Sequence, residues 1–185
     1  MDEGSAEQRS APHSANTDVR GAGIGVMKKI NLNDIAWKER KSPKGRFHIC
    51  YRNVAREFRS PKTGLRFRGT PPFEYAVLRI RPGAANFPFH SHAAEWEFYH
   101  IVSGTGVMRA GKKKFKVRAG DCLMCPPGEP HQLINTGRVD LIYNVVANNA
   151  PADIWRYPDS DKWGFSVGPT WFRLTPVKAY FEGEE

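Results

Sequence analysis

His90-Ser91-His92-Ala93-Ala94-Glu95-Trp96-Glu97, followed by Gly120-Asp121-Cys122-Leu123-Met124-Cys125-Pro126-Pro127-Gly128-Glu129-Pro130-His131, decides how this chain is read. Together the two stretches offer three imidazoles and a carboxylate to one divalent cation. First-row transition metals accept imidazole nitrogen and carboxylate oxygen, and four such ligands around an octahedral ion leave two positions open to substrate or dioxygen.

Around these stretches, from about residue 46 to 147, short β-branched and aromatic runs are broken by Gly and Pro every dozen residues or so, the pattern of an all-β sandwich or barrel. The runs predict strands over 47–51, 73–81, 97–102, 106–109, 114–117, 121–124, 131–135 and 141–147, which suit a double-sheet jelly roll or a small barrel. Ala110-Gly111-Lys112 reads as a hairpin turn, because glycine reaches the positive φ such turns require. Arg118-Ala119-Gly120-Asp121 and Pro126-Pro127-Gly128 break the next strand on both sides. Successive strand residues point to opposite faces, so His90 and His92 share one face. Glu97, Tyr99 and Ile101 share another, with Phe98, His100 and Val102 opposite. With Glu97 inward, Tyr99 lies beside the cation and His100 does not.

The spacing resembles the cupin superfamily. Its first motif, Gly, about five residues, His-x-His, three or four residues, Glu, six residues, Gly, falls on Gly83, His90, His92, Glu97 and Gly104. Six residues rather than five separate Gly83 from His90, a departure confined to the loop before the histidines. The second motif, Gly, five residues, Pro-x-Gly, two residues, His, three residues, Asn, falls at every interval on Gly120, Pro126, Gly128, His131 and Asn135. The resemblance spans roughly residues 70–147. It implies a double-stranded β-helix (jelly-roll) barrel in which His90, His92, Glu97 and His131 hold one divalent transition metal, iron or manganese in the first place, with zinc or nickel also used. The segment 151–162, with Tyr157-Pro158-Asp159-Ser160, further resembles small single-cupin bacterial proteins often labelled sugar-phosphate isomerases.

The motif assigns the ligand carboxylate to Glu97, which leaves Glu95 as a turn residue or a proton shuttle near substrate. Tyr99 either donates a hydrogen bond to a metal-bound oxygen or fills the barrel as an ordinary aromatic. Gln132 should point outward, and Asn135 should close a strand end. Arg79 and Arg81 alternate on one strand face: inward they form a clamp for phosphate or carboxylate, outward a salt-bridged surface. Cys122 and Cys125 make a Cys-x-x-Cys, but strand geometry sends them to opposite faces and no second pair accompanies them, so both read as small buried hydrophobes, as does Cys50.

The chain divides into a disordered tail over 1–26, a basic extension with edge strands over 27–69, the barrel core over 70–147 and an irregular C-terminal arm over 148–185. The tail lacks aromatics and any apolar h-region, so it is no signal peptide, and Met27 is a candidate natural start. The chain of 185 residues suits one domain with tails. Its formal charge of +9 is concentrated in residues 28–69, where 13 Lys and Arg face only Asp34, Glu39 and Glu57. Such a segment either steers anionic ligands or is a solvated face. No zinc-finger or helix-turn-helix pattern accompanies it, so nucleic acid is not an expected partner. Three cysteines form no disulfide framework, and no apolar run approaches the roughly 18 residues of a membrane span. The expectation is a cytoplasmic protein without membrane contact, a homodimer whose aromatic arm and sheet edges are covered by a partner. Its ligand is a small polar molecule, anionic if the arginines face inward. The functional reading is a metal-dependent enzyme of dioxygenase, isomerase or lyase type, with a non-catalytic binding or sensing module as the alternative.

Overall fold

The computed structural model describes residues 27–58 and 71–166 together with the backbone of 171 and 172. The tail over 1–26, part of the basic extension and the end of the arm lie outside the described residues. No helix among the described residues is long and apolar enough to cross a membrane.

The strands are β1 (Lys38–Lys41), β2 (His48–Asn53), β3 (Phe73–Ile80), β4 (Ser91–His92), β5 (Glu97–Ser103), β6 (Thr105–Ala110), β7 (Lys113–Arg118), β8 (Cys122–Cys125), β9 (His131–Ile134), β10 (Leu141–Asn148), β11 (Ile154–Tyr157), β12 (Lys162–Phe165) and β13 (Trp171–Phe172). A single helical turn, α1 (Val54–Glu57), follows β2, its Asn53 side chain capping the backbone N–H of Arg56. The eight predicted strands are all present, within two residues of their expected bounds.

Three sheets result, with strand orders β1-β2-β3-β10-β5-β8, β7-β6-β9 and β13-β12-β11-β4. The second and third are stitched together by one antiparallel bridge between His90 and His131. His90 N–H donates to the His131 carbonyl at 3.2 Å and His131 N–H returns the bond at 2.8 Å. The molecule is thus a double-stranded β-helix, two layers of antiparallel sheet closed over one core.

Alternation builds that core. On β10, Leu141, Tyr143, Val145 and Ala147 are buried, while the residues between them are more exposed. Leu141, Tyr143 and Val145 pack with Ile49, Leu78, Ile80, Tyr99, Ile101, Met108 and Leu133. Each large apolar side chain so buried contributes about 1.5–3 kcal/mol. Close approaches rely on glycine: Gly104 has φ +84°, and a Cβ there would lie 2.6 Å from the Asp140 carbonyl oxygen. Gly111, at φ +52°, turns the two-residue hairpin between β6 and β7.

Three expectations differ from the structure, and one left open is decided. The described part of the C-terminal arm is not irregular, because β11 pairs with β4 and extends that sheet through β12 and β13. Of the two alternatives for Arg79 and Arg81, the structure has the salt-bridged face and not the clamp: both face Asp140, at 3.4 Å and 3.2 Å, and Arg79 lies over Trp37. Gln132 is buried, its amide donating to the Phe87 carbonyl, because the loop entering His90 runs alongside β9. Cys122 is exposed on the outer face of the edge strand β8, whereas Cys125 and Cys50 are buried. Asn135 does close a strand end, its amide donating to the carbonyls of Ile80 and Val139 while its oxygen accepts from Gly137 N–H.

Candidate metal centre

His90 and β4 bring in two imidazoles, the start of β5 brings Glu97, and the start of β9 brings His131. One ligand atom from each of His90, His92, Glu97 and His131 lies within 4.8 Å of all the others. The His90–His131 backbone bridge holds two of the rings 4.9 Å apart between centroids, and His90 and His92 are 5.0 Å apart.

Each imidazole is oriented through Nδ1. His90 Nδ1 faces the Pro88 carbonyl at 2.8 Å, His131 Nδ1 the Glu129 carbonyl at 3.0 Å, and His92 Nδ1 the Asp153 carboxylate at 2.6 Å. Acceptors at all three Nδ1 positions favour a proton there and turn Nε2 toward the common centre. His131 Nε2 lies 2.6 Å from Glu97 Oε2. His92 Nε2 is 3.6 Å from the same oxygen, buried and without a hydrogen bond. Leaving such an atom unsatisfied costs about 1–3 kcal/mol. Three convergent nitrogens, one carboxylate and this orphaned atom fit an octahedral transition-metal ion with open positions.

The electrostatics of these side chains follow from the same contacts. Burial, reinforced by the charge of His131, holds the His90 imidazole neutral, its pKa lowered to about 4. Burial also opposes charge on His92, but hydrogen bonds to Asp153 and Glu95 and the charge of Glu97 outweigh it, raising His92 to about 9. His131 is carried against burial to about 10 by hydrogen bonds to Cys125 and Glu97. Burial raises Glu97, yet the bond from His131 and the neighbouring imidazolium charges bring it down to about 2.

Tyr99 is 1% exposed, and its hydroxyl donates to Glu97 Oε2 at 3.3 Å. Burial, with the charge of Glu97, pushes its phenol well above the ordinary range, so it remains a neutral donor behind Glu97. As alternation implies, His100 lies on the opposite face. Glu95 reaches His92 Nδ1 at 2.8 Å and lines a cavity of about 300 Å³ that opens on His92 and Glu97. Phe87, Trp155 and Tyr51 form part of its wall, and Arg40 and Arg56 line it as well.

Sequence reasoning misses Asp153, Trp155 and Tyr157. The Trp155 ring meets His92 edge-on at 6.4 Å, and Tyr157 stacks on His90 at 6.0 Å. Their alternation in Asp153-Ile154-Trp155-Arg156-Tyr157 is the available signal, on a segment that otherwise reads as irregular. Arg40 and Arg56 are hidden within an undifferentiated basic run.

Fold and centre together define a jelly-roll protein with a three-histidine, one-carboxylate site. Residues 76–147 match the family described as Cupin domain. An oxalate-binding protein of Thermotoga maritima is 35% identical over 72 residues, covering 39% of this chain and 59% of that protein. The chain thus spans about three fifths or less of the curated relatives it matches. Among solved structures, a cupin-superfamily sugar phosphate isomerase of Silicibacter pomeroyi superposes with TM-score 0.64 at 22% identity, over 82% of this chain and 98% of that one. KdgF of a Halomonas species superposes with TM-score 0.51 at 15% identity, over 68% and 97%. These two likenesses are of fold.

Proposed function

We propose that the chain is a metal-dependent enzyme acting on a small anionic molecule, with His90, His92, Glu97 and His131 holding one divalent transition metal, iron or manganese before zinc or nickel. The observation that carries this reading is the buried, unpartnered Nε2 of His92 facing a carboxylate and two further imidazole nitrogens. A bound cation would supply Lewis-acid polarisation of a substrate oxygen or, if redox-active, chemistry with dioxygen.

The rest falls to the chain itself. Tyr99 and His131 orient Glu97, while Phe87 and Trp155 wall the cavity and restrict water. Arg40 and Arg56 provide the positive charge for an anionic substrate group, the part that Arg79 and Arg81 do not play. Glu95, on the same cavity wall, is placed to accept or return a proton. Oxalate, named for one relative, and a sugar phosphate, named for a structural neighbour, are both anionic and small.

Elemental analysis of the purified chain, then turnover screening against dicarboxylates and phosphosugars with oxygen uptake recorded, tests the reading. About one equivalent of metal and turnover of an anionic compound are expected; oxygen consumption separates dioxygenase from isomerase or lyase chemistry. Wild-type protein that takes up no metal refutes it.

A second copy of the chain is the expected partner, in a reducing cytoplasm that suits three free thiols. Met124, Phe98, Val146 and Tyr75 align across four strands on the outer face of the six-stranded sheet, an apolar row suited to a homodimer.

A further inference from the structure

His90 and His131 are oriented by the same local device: each Nδ1 faces the backbone carbonyl two residues earlier, that of Pro88 and of Glu129. His92 does not repeat it. The carbonyl two residues before it belongs to His90, and that oxygen already accepts the His131 N–H at 2.8 Å in the bridge that closes the barrel. The third ring takes its acceptor from elsewhere in the chain.

Asp153 meets the need. Its Oδ2 lies 2.6 Å from His92 Nδ1, and its Oδ1 accepts the Ala94 N–H at 2.9 Å. Its own N–H donates to Ser166 Oγ at 2.9 Å, and its carbonyl accepts the Ser166 N–H at 3.0 Å. The residue is 5% exposed, so its carboxylate is fixed from both sides. The next strand, β11, is clamped in turn, Trp155 pairing with His92 in register and Arg109 gripping Asp159 with both guanidinium nitrogens at 2.6 and 2.8 Å. Glu95 reaches the same Nδ1 at 2.8 Å but is more exposed.

We propose that Asp153 is a positioning residue of the metal centre: it holds a proton on His92 Nδ1 so that Nε2 presents its lone pair to the cation, and the segment beyond the matched cupin domain thereby completes the site. This rests on the metal-binding reading above. It follows that an isosteric amide is not a neutral replacement. With its oxygen kept on Ala94 N–H, the amide introduced by Asp153→Asn would aim an N–H at Nδ1 and stabilise the tautomer whose Nε2 carries the proton, the wrong one for ligation.

The test uses the full chain and cobalt(II) as probe, titrated calorimetrically and by its visible ligand-field absorption. Asp153→Asn is expected to weaken cobalt binding about 10- to 100-fold and to alter the spectrum. Glu95→Gln is expected to change affinity less than about 3-fold, and Asp153→Glu to recover part of the loss. Wild-type affinity and spectrum in Asp153→Asn, or an equal loss in Glu95→Gln, would overturn the assignment. Nitrogen NMR of the zinc-loaded wild type gives a readout independent of variant folding: a slowly exchanging proton on His92 Nδ1 is expected, and an unprotonated Nδ1 overturns the proposal. Wild-type protein that binds no cobalt sinks both this inference and the proposed function, whereas normal wild-type binding with an unaffected Asp153→Asn sinks this inference alone.

Discussion

Glu97→Gln separates the electrostatics of the centre from its shape. The amide occupies nearly the same volume, but it removes the one charge facing His131 at 2.6 Å and His92 at 3.6 Å. In metal-free protein this leaves buried imidazolium without its counter-charge, and removing one partner of a buried pair costs about 3–5 kcal/mol. Near the lower end, and at about 2–4 °C per kcal/mol for a chain of this size, the melting temperature should fall by about 10 °C. The pH dependence has a definite sign. His131, raised from 6.5 to about 10, contributes its full stabilisation below about pH 6.5 and loses it as pH rises through about 10. Glu97, lowered from 4.5 to about 2, contributes fully above about pH 4.5 and loses its share as pH falls through about 2. The wild-type advantage over Glu97→Gln is therefore largest between about pH 4.5 and 6.5 and shrinks toward pH 10, where the variant's imidazoles and the wild type's are both neutral. Urea unfolding of chelator-treated protein, followed by tryptophan fluorescence across that range, measures it. Equal stability of the two proteins at pH 6 would refute the ion-pair account of the metal-free centre.

Three further outcomes follow from the same geometry. Reloading chelated wild type with manganese or iron(II) at about a thousand times its Kd should add about 4 kcal/mol of stability, read as a rise in melting temperature that His131→Ala does not show. Substituting both Arg40 and Arg56 by alanine should weaken inorganic phosphate or oxalate binding by about 10-fold or more while leaving metal content unchanged, measured by calorimetry; unchanged anion affinity would remove these residues from ligand recognition. Gly104→Ala should lose about 3 kcal/mol in urea unfolding, because its φ of +84° and a Cβ 2.6 Å from the Asp140 carbonyl oxygen combine backbone strain with a clash against immobile backbone. A loss under about 0.5 kcal/mol would show that the Asp140 backbone moves aside.

The legible part of the molecule is the part whose determinants are local. Period-two alternation puts Glu97, Tyr99 and Ile101 on one face of β5 because strand geometry permits nothing else, and Tyr99 does lie against Glu97. The Gly111 hairpin and the Asn135 cap are readable for the same reason, since each is specified within a few residues. Register across the barrel is not. Gln132 alternates away from His131 as expected, yet it is buried, because the burial of its face depends on a loop more than forty residues earlier in the chain. The arginines show the converse. Arg79 and Arg81 sit on the strand leading toward the site and turn away to Asp140, while Arg40, on an edge strand, and Arg56, on a helical turn, reach the cavity from an extension that reads only as basic.

The same division runs through the centre itself, and it explains why the candidate ligands are legible and their supports are not. A ligand must be a particular residue at a particular spacing, since only imidazole and carboxylate atoms converge on one ion, so His90, His92, Glu97 and His131 leave a motif. A support need only place an acceptor at Nδ1. For His90 and His131 a backbone carbonyl suffices, which writes nothing into the side-chain sequence. For His92 the corresponding carbonyl is engaged in the barrel's own closure, and the acceptor at Nδ1 comes from sixty-one residues later, on a segment whose pairing with β4 exists only in three dimensions. The bridge of His90 to His131 and the contact of Asp153 with His92 thus place the C-terminal strand beside the candidate ligands without leaving a mark in their motif.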